Sequence, residues 1–426
     1  MSDIRRIVVA ACLWPLAAVA WAEIDLAAPP IRYFDTAPDD AVSELQGRLD
    51  AGETAIRFEP HFGYLQAVLR ELKVPVASQA LVFSKTSLQV SRISPQSPRA
   101  IYFNDDTYVG WMPGGHIEIS TVDPRLGANF YLLEQAEAER PRFIRHDHEC
   151  LQCHGSVMTD GVPGHVVRSV ATGPDGTPVT NGRAYLSGHS SPLHERWGGW
   201  YVTGEHGRQR HLGNAFTRQG DRPVDLDAGA NRADLRDRFN TLLHLSGHSD
   251  IVALMVMEHQ VTVHNALARA SLETRIAEHR AAEAAGDPDA ATELTATIGH
   301  AAEAVVAALL LADESPLTDA ITGSSGFTRK FAKRGPFDSH GRSLREFDLE
   351  TRLFTHPCSY LVYARCFQEL PPALKEEAER QLWAALAAEA TDGPAARLAV
   401  AERQAIREIL ADTLPGRFTT ADSGSR

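Results

Sequence analysis

The chain has 426 residues and a formal net charge of −13, with 43% hydrophobic and 23% charged residues. That is chain enough for two or three domains and a substantial core. The acidic balance excludes a general nucleic-acid binder, which would need a basic face, and is compatible with docking to basic redox partners.

The first residues read as an export signal. Arg5-Arg6 is followed by an apolar run from Ile7 to Trp21, interrupted by Pro15, and Ala20-Trp21-Ala22 is an A-x-A cleavage pattern. A signal peptide is therefore expected over residues 1–22, with Glu23 as the first mature residue and the periplasm of a Gram-negative bacterium as destination. A membrane anchor fits less well, because the run is short and ends at a cleavage site. A lipoprotein reading through Val9-Ala10-Ala11-Cys12 leaves too few apolar residues ahead of the cut. No later stretch approaches ~20 uninterrupted apolar residues, so no transmembrane span is expected after cleavage.

The expected fold class is α+β, a β-rich N-terminal half followed by a mainly helical C-terminal half. Residues 23–145 form the β-rich part. A short helix is expected over Asp39–Leu49. Strands are expected at Ala80–Ser84, Ala100–Asn104, Thr107–Trp111, His116–Val122 and Ala128–Glu134, divided by the turn signals Pro98, Asn104-Asp105-Asp106 and Pro113-Gly114-Gly115. Residues 146–231 are rich in Gly, Pro and His and read as loops and short strands. From residue 232 to 418 the texture is helical, with helices expected over Leu235–Leu245, Ser249–His279, Ala290–Leu311, Ala373–Leu386 and Val400–Leu414. Residues 419–426 read as a disordered tail.

Chemistry concentrates at the junction of the two halves. Cys150-Leu151-Gln152-Cys153-His154 is C-x-x-C-H, the pattern of covalent c-type haem attachment. Two thiols three positions apart on one helical turn can each form a thioether to one haem vinyl group. The adjacent histidine then supplies the proximal iron ligand. One haem c per chain is expected. Two other chemistries share the cysteine pair. A zinc site would want a second ligand pair, and the remaining downstream cysteines, Cys358 and Cys366, are eight apart. A thioredoxin-type pair would sit at a helix start after a buried strand, whereas His146-Asp147-His148-Glu149 precedes this motif.

Over residues 148–165 the sequence resembles c-type cytochromes, Gly155 after the motif histidine included. Glu195–Gly204 and His356–Tyr363 are similar to stretches of large single-haem bacterial c-type cytochromes, a group without an established activity. The resemblance implies haem binding but supplies no substrate. The chain departs from small electron carriers in its length, its β-rich domain before the motif and its helical region after it.

A sixth iron ligand would be His or Met in an electron carrier. Met158 lies too close to His154 in the chain to reach the opposite haem face. The helix expected over 249–279 offers His259 on an apolar stripe with Val252, Met255, Val256 and Val263, His264 on the neighbouring stripe, and Met255 or Met257 as thioethers. His259 is the first candidate distal ligand and His264 the second; the alternative is that both are hydrogen-bonded core histidines. His189, His194, His206 and His211 match no standard metal spacing. They could serve iron, acid–base chemistry, another metal, or simply the backbone of an irregular loop. Arg183, Arg196, Arg208 and Arg210 suit haem propionates, and Trp197, Trp200 and Tyr201 could pack on the macrocycle. Cys358 and Cys366 form either a disulfide or two buried thiols.

The functional expectation is a periplasmic electron-transfer cytochrome with one covalent haem and an unidentified redox partner, protein or small molecule. The alternative is a haem enzyme of peroxidase or oxidase type with an open distal site, which the chain's length favours.

Overall fold

Between Ala80 and Leu133, residues of strand-forming type alternate and are punctuated by tight turns, which produces a meander of antiparallel strands. The computed structural model describes residues 24–180, 182–217 and 225–417; the expected signal peptide and disordered tail lie outside them. Helix α1 (Ala41–Asp50) starts at Asp40, whose carboxylate accepts from the N–H groups of Val42 and Ser43. Helix α2 (Leu65–Glu71) follows. The meander comprises β1 (Ala80–Val82), β2 (Arg99–Phe103), β3 (Thr107–Trp111), β4 (Ile117–Asp123), β5 (Gly127–Leu133) and β6 (Ile144–Arg145). Helix α3 (Asp147–His154) carries the cysteine motif. Strands β7 (Arg168–Val170) and β8 (Ala184–Leu186) pair with each other, and β9 (Trp200–Tyr201) returns to β1. The sheet order is thus β6-β5-β4-β3-β2-β1-β9.

The C-terminal half begins after β10 (Gly204–Glu205) with the long helix α4 (Ile251–Glu283) and α5 (Pro288–Leu309). Then come β11 (Thr322–Gly323), paired with β10, and α6 (Phe327–Ala332), α7 (Arg365–Gln368), α8 (Pro372–Ala385) and α9 (Val400–Thr413). The expected α+β arrangement is what the chain adopts. None of the helices among the described residues is long and apolar enough to cross a membrane.

Side-chain alternation gives the sheet two different faces. Leu81, Ala100, Tyr102, Val109, Trp111, Ile117, Tyr131 and Leu133 point one way and pack under α1 and α2. The residues between them point the other way, toward α3 and α4. There Ala80, Val82, Phe103 and Tyr108 join the same core as α4, α5, α8 and α9. The change of texture near residue 232 is therefore a change of secondary structure and not a break in the core. Helix α4 is buried on nearly every side from Ile251 to Gln260, as expected of a helix apolar all round.

Two local expectations are corrected. Leu235–Leu245 is not an α-helix. Leu235 and Phe239 are buried, but Leu242 is 84% exposed and Leu243 is exposed too. An apolar stripe with no surface to cover its second turn cannot offset the cost of helix formation. Asn240 instead caps a single tight turn at Thr241–Leu243. In the other direction, α2 forms inside a stretch that reads as β-textured, because Leu65, Val68 and Leu69 find the sheet's outer face.

Candidate functional site

Helix α3 places Cys150, Cys153 and His154 along one wall of a cavity. Its floor is the inward sheet face: Arg99 and Ile101 of β2, Tyr108 and Gly110 of β3, Glu118 and Ser120 of β4, and Phe130 and Leu132 of β5. The remaining walls come from Ser84, Thr86–Leu88, Met158, His165–Arg168, Trp200, and Met257 and Val261 of α4. The cavity volume is about 300 Å³, at the lower end of the roughly 300–1,000 Å³ usual for small-molecule pockets.

His154 is held from behind. Its Nδ1 lies 3.0 Å from the carbonyl of Gly164 and its ring packs at 4.9 Å on Phe130. The Nδ1 proton donates to the carbonyl, leaving the Nε2 lone pair as the ring's free acceptor. Burial keeps the imidazole below its ordinary pKa, so it is neutral and able to ligate at pH 7. The Gly164 carbonyl is itself fixed by α4: Asn265 accepts from the His165 N–H at 2.8 Å and donates to the His165 carbonyl at 2.9 Å. Gly164 is required there, since a Cβ would come within 2.5 Å of the Asn265 side chain.

The two cysteines are free thiols, Cys153 exposed and Cys150 half-buried. Burial, followed by the carboxylates of Glu118, Asp147 and Glu149, pushes the Cys150 thiol up to about 12. A thioredoxin-type nucleophile needs the opposite shift, so the redox-pair reading loses its chemical basis. Zinc lacks ligands as well. Among the described residues the one cluster of three metal-capable side chains is Asp338, His340 and Asp412, remote from the motif. Its carboxylates are already engaged by Arg342 and Ser339. The residues present do fit a haem in their chemistry: two thiols and a backed imidazole on one helical turn, lining one open-mouthed cavity.

The expected distal ligands are not where the sequence pointed. His259 does not line the cavity. It is fully buried behind α4 with both ring nitrogens occupied, 3.2 Å from His189 Nδ1 and 2.8 Å from Ser359 Oγ. Ligating iron would forfeit two buried hydrogen bonds. His264 is not on the cavity wall either; it stands behind Tyr108, whose hydroxyl lies 3.1 Å from its Nδ1. Both follow the core-histidine alternative. Of the methionines, Met257 and Met158 line the cavity, and Met255 is buried in the core without reaching it.

The histidine-rich segment divides likewise. His189 bonds the exposed Asp313 at 3.1 Å as well as His259. His206 bonds the Gln209 carbonyl and accepts from Asn231. His211 packs on Trp197 and His206. His194 is exposed. None of the four lines the cavity. Neither do the four arginines proposed for propionates: Arg196 is buried against Glu258 at 3.1 Å, Arg208 and Arg210 pair with Asp319 and Asp227, and Arg183 is exposed. Trp200 does line it; Trp197 and Tyr201 do not. Cys358 and Cys366 are separate buried thiols, each pushed up to about 12 by burial.

Three cavity residues escaped sequence reasoning. Arg99 lies over Gly110, where a Cβ would come within 2.2 Å of its guanidinium, and pairs with Glu118 at 2.5 Å. Arg168 stands at the start of β7. His165 is buried, with Nε2 2.7 Å from Ser120 Oγ and Nδ1 without a partner. The available signal was polar or small residues at alternate, inward strand positions: Arg99, Gly110, Glu118 and Ser120. Comparison of the chain with protein-family models, with curated proteins and with solved structures found no match.

Proposed function

We propose that this chain is a large single-haem c-type cytochrome of the periplasm, holding its haem through thioethers to Cys150 and Cys153 and through His154 as proximal ligand. The observation that carries this reading is the shared cavity wall of the three residues, with His154 Nδ1 committed to the Gly164 carbonyl. A haem held there would supply one-electron iron chemistry. The chain's own part is to fix the imidazole, exclude water with Phe130, Val167 and Trp200, and keep the Arg99 and Glu118 charges neutralised as a pair.

The reading assigns Met257 as sixth ligand. Of the other soft or imidazole donors on the wall, Met158 follows the motif too closely, and His165 is bonded in sequence to Gly164, the residue that backs His154. Met257 comes from an independent element, α4. Electron transfer to a partner is favoured by the apolar rim: Leu88 lines the cavity and is 53% exposed, and Val157, beside Met158, is 90% exposed. The enzyme alternative has its own support in His165, a residue of the cavity wall whose Nδ1 has no partner.

The test is production with a haem-attachment system, followed by a haem-stained denaturing gel and a pyridine haemochrome spectrum. One stained haem per chain is expected, lost in the variant with Cys150→Ala and Cys153→Ala. An unstained wild-type band would sink the reading. Ready carbon monoxide binding by the reduced wild type would transfer the assignment to the enzyme alternative.

A further inference from the structure

The cavity has two ends of different charge. His154 packs on Phe130 of β5, so the cysteine motif stands over that side of the sheet. Two carboxylates that line the cavity, Glu118 and Glu149, are close enough to Cys150 to act on its thiol. The far end lies at β1 and β9. There Val82 faces Trp200 across the strand pair, the Ser84 N–H donates to the Gly199 carbonyl, and Trp200 Nε1 donates to the carbonyl of Arg168 at 2.7 Å. From β5 to β1 is four strand spacings, about 19 Å at ~4.8 Å each.

The two cavity arginines differ in the same sense. Arg99 is already half of an ion pair with Glu118. Arg168 is half-buried, its backbone is fixed by Trp200 and by pairing with Leu186, and among the described residues its guanidinium has neither ion pair nor hydrogen bond. The hydroxyl-bearing Ser84, Thr86 and Ser87 line the cavity on the segment leaving β1. A cation without a counter-ion, in a cavity whose wall also carries hydroxyl side chains, suits a carboxylate.

We propose that Arg168 is the carboxylate anchor of this cavity and sets the haem's orientation. The thioether-bearing edge lies under α3, and the propionates, on the opposite edge of the macrocycle, point to Arg168 at the β1–β9 end. The inference rests on the haem reading above. It has two independent supports: the thiols fix which edge faces α3, and the cation at that end, Arg99, is already taken by Glu118.

The experiment uses haem-loaded wild type, Arg168→Leu and Arg168→Lys, each checked on a haem-stained denaturing gel and titrated potentiometrically at several pH values. Removing a cation beside the propionates favours the oxidised, more positive centre. Arg168→Leu should shift the oxidised-to-reduced ratio at fixed potential about tenfold, or about 59 mV for a one-electron couple. It should also introduce a pH dependence in the mildly acidic range as propionates lose their cation. Arg168→Lys, which keeps the charge without the fork, should shift the ratio about threefold or less and leave the pH profile flat. A stained Arg168→Leu protein with wild-type potential and pH profile would overturn the anchor while leaving the haem reading intact. If that variant fails to accumulate, Arg168→Lys decides, a pH-dependent potential in it counting against the anchor. An unstained wild type removes both.

Discussion

His154 and His259 are both withdrawn from water, yet the molecule treats them in opposite ways. On the cavity side of α4, His154 keeps one ring nitrogen committed and one free, and the same cavity is lined by His165, whose Nδ1 has no partner, and at its far end by Arg168. Behind α4, His259 belongs to a closed chain. Asp313 accepts from His189 Nε2, which leaves His189 Nδ1 to accept from His259 Nδ1 and His259 Nε2 to accept from Ser359. Beside it Arg196 neutralises Glu258. A buried ring nitrogen left open on a cavity wall marks a place that something can enter, and a buried ring engaged at both nitrogens, as His259 is, marks a place packed shut.

The shut region should respond to mutation with stability. Arg196→Met leaves the fully buried Glu258 without its cation and should cost about 3–5 kcal/mol. Chemical denaturation of the haem-free protein measures it, and adding Glu258→Leu should restore most of the loss. A single-variant cost below about 1 kcal/mol would mean that the pair is not sealed. The same change should leave the haem-stained band intact, because neither residue touches the cavity.

Acid should find the buried histidines next. Burial lowers His211 to about 3 and His264 to about 4, against 6.5 in the unfolded chain. The sign follows from linkage: the unfolded chain takes up these protons first. The stability they contribute is whole above pH 6.5, declines as the pH falls from there, and is gone below about 3. Stability of the haem-free protein should therefore fall on the order of a few kcal/mol between pH 6.5 and 4. His264→Asn should make that slope shallower, and an unchanged slope would show that His264 accepts a proton while folded.

The sequence reading goes furthest where one element decides the outcome by itself. Strands β1 to β5 follow from alternation and turns, and α1, α4, α5, α8 and α9 from helical spacing and caps. The C-x-x-C-H motif is legible because it sets three residues within five adjacent positions. What is not legible is which neighbour covers which stripe. His259 and Met257 are two residues apart on α4 and equally buried. Periodicity separates their directions by about 200° but says nothing of what lies in each. Arg168 and His165 escaped for a related reason. Their segment is too short and irregular for any period, and their place on the cavity wall is set by Trp200 and Asn265, 32 and 100 residues further on.

The smallest stability effect carries the finest distinction between the two sides of α4. Met255 and Met257 are both nearly inaccessible, but Met255 faces the core and Met257 the cavity. Met-to-Leu exchange conserves volume, so each variant should lose less than about 1.5 kcal/mol, and stability alone will not tell them apart. The haem-loaded proteins will. Leucine carries no donor atom, so Met257→Leu should change a low-spin spectrum to high-spin and admit carbon monoxide to the reduced protein. Met255→Leu should leave the spectrum as in wild type. Should neither variant alter it while wild type is low-spin, the sixth ligand comes from the motif's own side of the cavity. His165→Ala and Met158→Leu then become the informative pair, His165 being the one with a buried ring nitrogen still unengaged.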